Sequence, residues 1–165
     1  MKFEKISEKT WTDFCKKYYG QMSDDEIVEA YKNIKLPHAG SQFAAGHDFY
    51  APIAVEVDSN NPTLVPTGIR WVTEVTDKDK VLILCPRSGL GTKYGFALRN
   101  TVGVIDADYC LSDNEGHILV SVVANQSCKL NVGNRFIQGI ILPYFRCGEN
   151  NTVIRNGGFG STGEK

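Results

Sequence analysis

Two rhythms of apolar residues divide the chain. From residue 6 to 34 the apolar side chains recur at helical spacing. Trp11, Phe14, Cys15, Tyr18 and Tyr19 fall on one stripe, and Gly20 ends it. Ser23 followed by Glu26 has the spacing of a capping box. It predicts a second helix whose apolar face is Ile27, Val28, Tyr31 and Ile34. Residues 1–34 therefore read as a helical N-terminal extension, packed on the domain or on a partner subunit, with no chemistry of its own. After Pro37 the helical period does not return. Short apolar runs punctuated by Gly, Pro and Asn take over, and the strand candidates are 55–57, 68–75, 81–84, 96–99, 103–105, 118–123 and 135–142. Residues 118–123 are apolar on nearly both faces, which predicts a strand between two packed sheets or at a subunit interface. The expected fold class is all-β with a short helical start, and no internal repeat is evident.

Composition changes this picture little. A chain of 165 residues is one ordinary domain, able to bury a core. A formal net charge of −1 gives no reason to expect a nucleic-acid partner. No apolar run reaches membrane-spanning length, and Met1-Lys2-Phe3-Glu4-Lys5 has no signal-peptide apolar segment, so no membrane association is expected. Five cysteines, an odd number with no Cys-x-x-Cys pair, argue against a disulfide framework or a zinc site and point to a reducing cytoplasm. The three histidines have no metal-ligand spacing.

Candidate chemistry centres on residues 103–109, Gly-Val-Ile-Asp-Ala-Asp-Tyr. Val104 and Ile105 suit a buried strand, and Gly103 admits a close approach to its backbone. Asp106 and Asp108, two apart, would share a face if the segment stayed extended, suiting water activation or metal binding. The alternative is a strand running into a turn, where Asp is common. Cys110 borders the stretch, but with no histidine fixed nearby it reads as a structural thiol. In Pro86-Arg87-Ser88-Gly89-Leu90, the arginine fork, the hydroxyl and an unobstructed glycine N–H make either a compact anion site or an ordinary turn with a solvated arginine. Arg135 and Gln138 are polar within an apolar run, and Arg135 reads equally as an edge-strand residue. The glycines of 158–163 match Gly-x-Gly-x-x-Gly, yet a dinucleotide site needs a strand before that motif and a helix after it, and only two residues follow. Phe159 amid glycines suits a strip that folds over a ligand.

Taken in order, Ala45-Gly46-His47-Asp48-Phe49, Pro86-Arg87-Ser88-Gly89-Leu90, residues 103–109, Gly133-Asn134-Arg135-Phe136-Ile137-Gln138 and the Gly-rich 157–163 resemble the trimeric deoxyuridine triphosphatase (dUTPase) family of bacterial or phage type. The likeness runs over residues 34–163. It implies a distorted jelly-roll-like fold with a β-rich core at 35–154 and a mobile C-terminal lid at 155–165. It further implies a homotrimer with shared active sites, and Mg²⁺-dependent hydrolysis of dUTP to dUMP and pyrophosphate. By the same resemblance Asp106 orients and deprotonates the attacking water, and Asp48 is a structural residue that reaches the metal through water. Arg87, Ser88 and Gly89 form the phosphate turn, and Gln138 contacts the α-phosphate. Gly103, Val104 and Ile105 belong to a hairpin, residues 96–120, whose backbone pairs with uracil. Tyr109 lies under the deoxyribose. Phe159 stacks on uracil as the tail closes, Gly160, Ser161 and Thr162 approach the terminal phosphate, and Arg155 contacts the γ-phosphate.

The chain departs from the family pattern at three places. Cys110-Leu111-Ser112-Asp113-Asn114-Glu115-Gly116 replaces a shorter Arg-Gly-Glu turn, Asn134 stands for the usual Asp, and the tail is one residue shorter between Arg155 and Phe159. Two other readings compete. A dCTP deaminase shares the fold but needs a catalytic Glu, and the Asp106 stretch and the Gly-rich tail argue against it. A dUTPase-like protein that binds a regulatory partner would present a nucleotide-sensitive surface, with the helical start as its candidate.

Overall fold

The computed structural model describes residues 1–147. In chain order the elements are β1 (Lys2–Lys5), α1 (Glu8–Tyr18), α2 (Asp24–Asn33), β2 (His38–Ala39), β3 (Gly46–Tyr50), β4 (Val55–Val57), β5 (Thr63–Pro66), β6 (Ile69–Val72), β7 (Lys80–Pro86), α3 (Ser88–Tyr94), β8 (Ala97–Leu98), β9 (Gly103–Asp106), β10 (Leu119–Val123), β11 (Cys128–Leu130) and β12 (Arg135–Pro143). Short 3₁₀ turns occupy Val75–Asp77 and Ala107–Leu111. Every strand pairing is antiparallel. The largest sheet runs β2-β3-β12-β7-β9, and a three-stranded sheet runs β5-β10-β8. The pairs β1-β6 and β11-β4 complete the body. This is the expected all-β, jelly-roll-like architecture with helices at its start.

Both N-terminal helices begin where the sequence places them. Ser7 caps α1 by accepting the Thr10 N–H, and Ser23 with Glu26 forms the full capping box of α2. Trp11, Phe14 and Cys15 of α1 are buried, and Trp11 Nε1 donates to Ile27 O at 3.0 Å, joining the two helices. The buried positions of α2 are Ile27 and Ala30 rather than Val28, which is exposed, as is Tyr18. The start is no loose appendage. Trp11 and Cys15 belong to the same core as Phe49, Trp71 and Phe136, and β1 pairs with β6 through Phe3↔Trp71.

Two further departures bear on the site. The body is not purely strands, because Ser88–Tyr94 forms a helix directly after Arg87, closed by Gly95 at φ 63°. The hairpin expected at residues 96–120 is paired only at its base, where Leu98 faces Val122 and the Arg99 N–H donates to Ser121 O at 2.9 Å. β9 pairs with β7, while β10 pairs with β5 and β8 in the other sheet. All five cysteines are free thiols, and no described helix is long and apolar enough to cross a membrane.

Candidate active site

Register fixes which side chains share a face of the large sheet, since directly paired residues point the same way. His38, Asp48, Gln138 and Cys85 form one row across β2, β3, β12 and β7. Gly46, Ile140, Ile83 and Val104 form the next, and Leu142, Val81 and Asp106 a third. Phe49, Ile137, Leu84 and Leu82, buried in the core, point the other way. Asp48, Gln138 and Asp106 thus lie on the outer face, with an apolar band between the Asp48–Gln138 row and Asp106.

Asp48 is the hub of the first row. Its Oδ2 accepts from Arg87 Nη1 at 2.9 Å and from Arg135 Nη1 at 3.1 Å, and the residue is only 8% exposed. One buried carboxylate held between two guanidiniums leaves the trio net positive. Arg87 sits at the exit of β7, where its backbone N–H is tied to Phe136 O at 3.1 Å. The fork therefore has a fixed root while its remaining donors suit an anion. Ser88 and Gly89 open α3 beside it, and a Cβ placed on Gly89 would meet nothing within 4 Å. Gln138 has its own requirement: a Cβ on Gly46 would come within 2.7 Å of Gln138 Oε1, so Gly46 makes room for the carboxamide.

A cleft of about 190 Å³ opens between β9 and the three-stranded sheet, lined among others by Leu98, Asn100, Gly103, Ile105, Tyr109 and Ser121. It is smaller than the roughly 300–1,000 Å³ of drug-sized sites and suits one small ring system. β9 is the edge of its sheet among the described residues, so one side of its backbone has no neighbouring strand. The close approach foreseen at Gly103 is made by the core, since a Cβ there would lie 2.9 Å from Leu84 Cβ. Leu119 and Ser121 of β10 line the cleft, which accounts for the second face of that strand. Tyr109 is 7% exposed, its hydroxyl donating to His117 O at 3.1 Å and accepting from Asn114 Nδ2 at 2.9 Å. With both roles of the hydroxyl satisfied, the ring offers the cleft an apolar wall.

Asp106 ends β9 and enters the 3₁₀ turn, half-buried, whereas Asp108 lies within the turn and is exposed. The two acids are not successive residues of one extended segment. Within one chain Asp106 also stands far from the phosphate turn. It pairs with Val81, six residues before Arg87 along β7, which at about 3.3 Å per residue is roughly 20 Å. Among the described residues no three His, Cys, Asp or Glu side chains form a metal cage. Arg155, Phe159, Gly160, Ser161, Thr162 and the lid at 155–165 lie outside the described residues. Sequence reasoning left Arg135 and Asn100 out of the site; nothing in the local sequence distinguishes the Asp48 partner from an edge-strand arginine.

The family model for dUTPase matches residues 32–163. The deoxyuridine 5′-triphosphate nucleotidohydrolase of Lactococcus lactis subsp. lactis is 35% identical over 146 residues, covering 84% of this chain and 95% of that protein. The same-named protein of Hahella chejuensis is 36% identical over 142 residues, covering 80% and 89%. The crystal structure of dUTPase from Streptococcus mutans aligns with a TM-score of 0.66 at 30% identity, over 90% of this chain and all of that one. A fold match over nearly the whole chain, relatives above one-third identity and a family model spanning every motif of the site agree: the chain belongs to the dUTPase family.

Proposed function

We propose that the protein hydrolyses dUTP to dUMP and pyrophosphate in sites shared between the subunits of a homotrimer. The observation that carries the reading is the separation on the outer face. Asp106 pairs with Val81 near one end of β7 and the Arg87–Asp48–Arg135 cluster stands at the other, roughly 20 Å apart. One nucleotide does not bridge that gap along a single chain. The residues between are Ile83, Ile140 and Val104, with Val104 54% exposed and Leu142 44% exposed, an apolar band suited to another copy of the chain. Docked copies bring Asp106 of one to the phosphate turn of another.

In such a site the edge of β9 takes the pyrimidine's polar groups, and Tyr109 closes the sugar side against a 2′-hydroxyl. A backbone-lined pocket leaves polar groups unpaired with the wrong base, which is a strong source of selectivity. Arg87, Ser88, Gly89 and Gln138 hold the phosphates, and Asp48 keeps Arg87 aimed. Asp106 takes a proton from water as the oxygen attacks the α-phosphorus. The bond from that phosphorus to the bridging oxygen breaks, and pyrophosphate leaves with the electron pair. Bound Mg²⁺ supplies charge neutralisation on the triphosphate. The donor set would fit an ion carried mainly by phosphate oxygens and water: Asp48 Oδ2 is already committed to two arginines, so Asp48 would reach the metal through water. The tail, with Arg155, Phe159, Gly160, Ser161 and Thr162, is the proposed lid over the bound nucleotide. Free thiols throughout suit the cytoplasm.

The test is pyrophosphate release from dUTP, dCTP, dTTP and UTP, with and without Mg²⁺, by the wild type and Asp106→Asn. Release is expected from dUTP alone and only with Mg²⁺. The variant should bind dUTP with turnover reduced at least about a hundredfold. Wild-type-like turnover in Asp106→Asn would remove it as the base, and release from dCTP of ammonia in place of pyrophosphate would make the protein a deaminase.

A further inference from the structure

We propose that Glu115 is a positioning residue, which ties the N-terminus of α1 to the turn carrying Tyr109 and thereby sets the sugar-facing wall of the cleft. The inference rests on the assignment of Tyr109 to that wall. The family match begins at residue 32, so β1 and α1 lie before it, whereas Glu115 lies within it, between the 3₁₀ turn Ala107–Leu111 and β10.

The turn is built around this contact. Glu115 adopts φ 59°, a left-handed conformation that side chains of its kind rarely hold without compensation. Its backbone N–H donates to Ser112 O at 2.8 Å. Its carboxylate accepts the Ser7 N–H at 2.9 Å and lies 2.5 Å from both Ser7 Oγ and Thr10 Oγ1. Those groups belong to the cap and first turn of α1, where a negative charge is favoured by the exposed N–H groups. Burial pushes the Glu115 carboxyl up, but the Ser7 and Thr10 bonds outweigh it and hold it below its ordinary range. The charge needed for the clamp is thus present at neutral pH.

The clamp reaches Tyr109 within a few atoms. Gly116, next to Glu115, donates to Asn114 Oδ1 at 3.1 Å, and Asn114 Nδ2 donates to the Tyr109 hydroxyl at 2.9 Å. That hydroxyl donates to His117 O at 3.1 Å, and the His117 N–H donates to Asn114 O at 3.0 Å. Gly116 allows nothing larger, since a Cβ there would fall 2.6 Å from Cys110 Cα. The helix holds the turn a second time through the His117 ring, which lies 5.1 Å from Phe14 and 6.2 Å from Trp11 between centroids. α1 therefore grips both ends of the network that fixes the Tyr109 ring. A wall that separates hydrogen from hydroxyl at one sugar carbon is sensitive to small displacements, so loosening this grip weakens discrimination before it weakens chemistry.

The experiment measures kcat and KM for dUTP and UTP in Glu115→Gly, Glu115→Gln, the double variant Ser7→Ala/Thr10→Val, and Tyr109→Ala. Glycine removes the carboxylate and accepts the left-handed φ, so the backbone is not strained by the change. Glu115→Gly is expected to raise KM for dUTP about five- to tenfold with kcat held within about twofold, and to narrow the preference for dUTP over UTP by a similar factor. Ser7→Ala/Thr10→Val, approached from the helix side, is expected to do the same. Glu115→Gln, which keeps an acceptor for the Ser7 N–H, is expected to recover most of the preference. A Glu115→Gly protein that melts at lower temperature but keeps its KM and its dUTP preference would make the residue structural only and overturn the proposal. If Tyr109→Ala itself left the preference unchanged, the assignment of Tyr109 to the sugar would be what failed.

Discussion

Asp48 shows how much of a site's electrostatics rests on a residue that need not touch substrate. Its Oδ2 takes one hydrogen bond from Arg87 and one from Arg135, which lie on elements 39 and 87 residues further along the chain. Asp48→Asn would leave two guanidiniums facing a neutral amide. The two arginine side chains are 31% and 49% exposed, so water screens much of the change, and a loss of about 1–2 kcal/mol of stability is expected rather than the full cost of a buried broken pair. The kinetic effect should be larger, because Arg87 loses what aims it: KM for dUTP rises about tenfold, with kcat lowered less. Steady-state kinetics beside a thermal melt checks this, and an unchanged KM with a lowered melting temperature would reduce Asp48 to a structural role. Asp48, Arg87 and Gln138 were candidates through the motifs that resemble the dUTPase family, and the structure puts Asp48 in contact with Arg87 and opposite Gln138 in strand register. Arg135 was not legible. What sets it apart is a partner 87 positions away, and only strand register brings the two together.

At the scale of elements, the sequence was read correctly where local chemistry alone decides. The helical stripe of α1, the Ser23–Glu26 box of α2 and the strand cores at 55–57, 81–84 and 135–142 are such cases. It failed where tertiary contacts override local preference. α3 carries Gly89 and Gly91, each costing roughly 1 kcal/mol against alanine in a helix, and tertiary packing of Leu90 and Tyr94 against the core supports it. β1 has Lys2, Glu4 and Lys5 around a single apolar Phe3, and becomes a strand because β6 offers it an edge. The contact of α1 with His117 makes stability depend on pH. Burial drives the His117 pKa down to about 3, with nearby Glu115 opposing the shift, and its Nε2 accepts the Gly68 N–H at 3.0 Å. The unfolded chain, titrating near its ordinary 6.5, takes the proton first. The stability of neutral His117 is therefore complete above pH 6.5 and is lost as pH falls toward 3, by up to about 1.4 kcal/mol per unit. The Glu115 contribution is lost in the same direction but only below its ordinary 4.5, so the interval from pH 6.5 to 5 isolates the histidine. Melting temperature should fall across that interval in the wild type and stay nearly level in His117→Gln. Equal slopes in both would place the titrating group elsewhere.

For the whole molecule, the decisive feature is a sheet whose outer face carries chemistry at both ends and an apolar band in the middle. In a single copy Asp106 and Arg87 are separated by most of the length of β7, so the proposed site needs a second copy. Motif order in the sequence is blind to this separation, and in the proposed trimer a second copy would bring Asp106 to the phosphate turn. Subunit mixing turns the argument into a measurement. Asp106→Asn lacks the proposed base but keeps the phosphate turn; Arg87→Gln keeps the base, and its amide still donates toward Asp48. Each alone should be nearly inactive. Trimers assembled from equal amounts of both would contain sites that draw an intact Asp106 from one subunit and an intact Arg87 from another, and random assembly makes these about a quarter of all sites. Activity should therefore return to about a quarter of the wild-type value on co-assembly, and to nothing when the two proteins are mixed without subunit exchange. If co-assembled trimers stayed inactive, Asp106 and Arg87 would have to serve the same site from one chain. The roughly 20 Å between them would then have to be closed by a rearrangement of the sheet rather than by a neighbour.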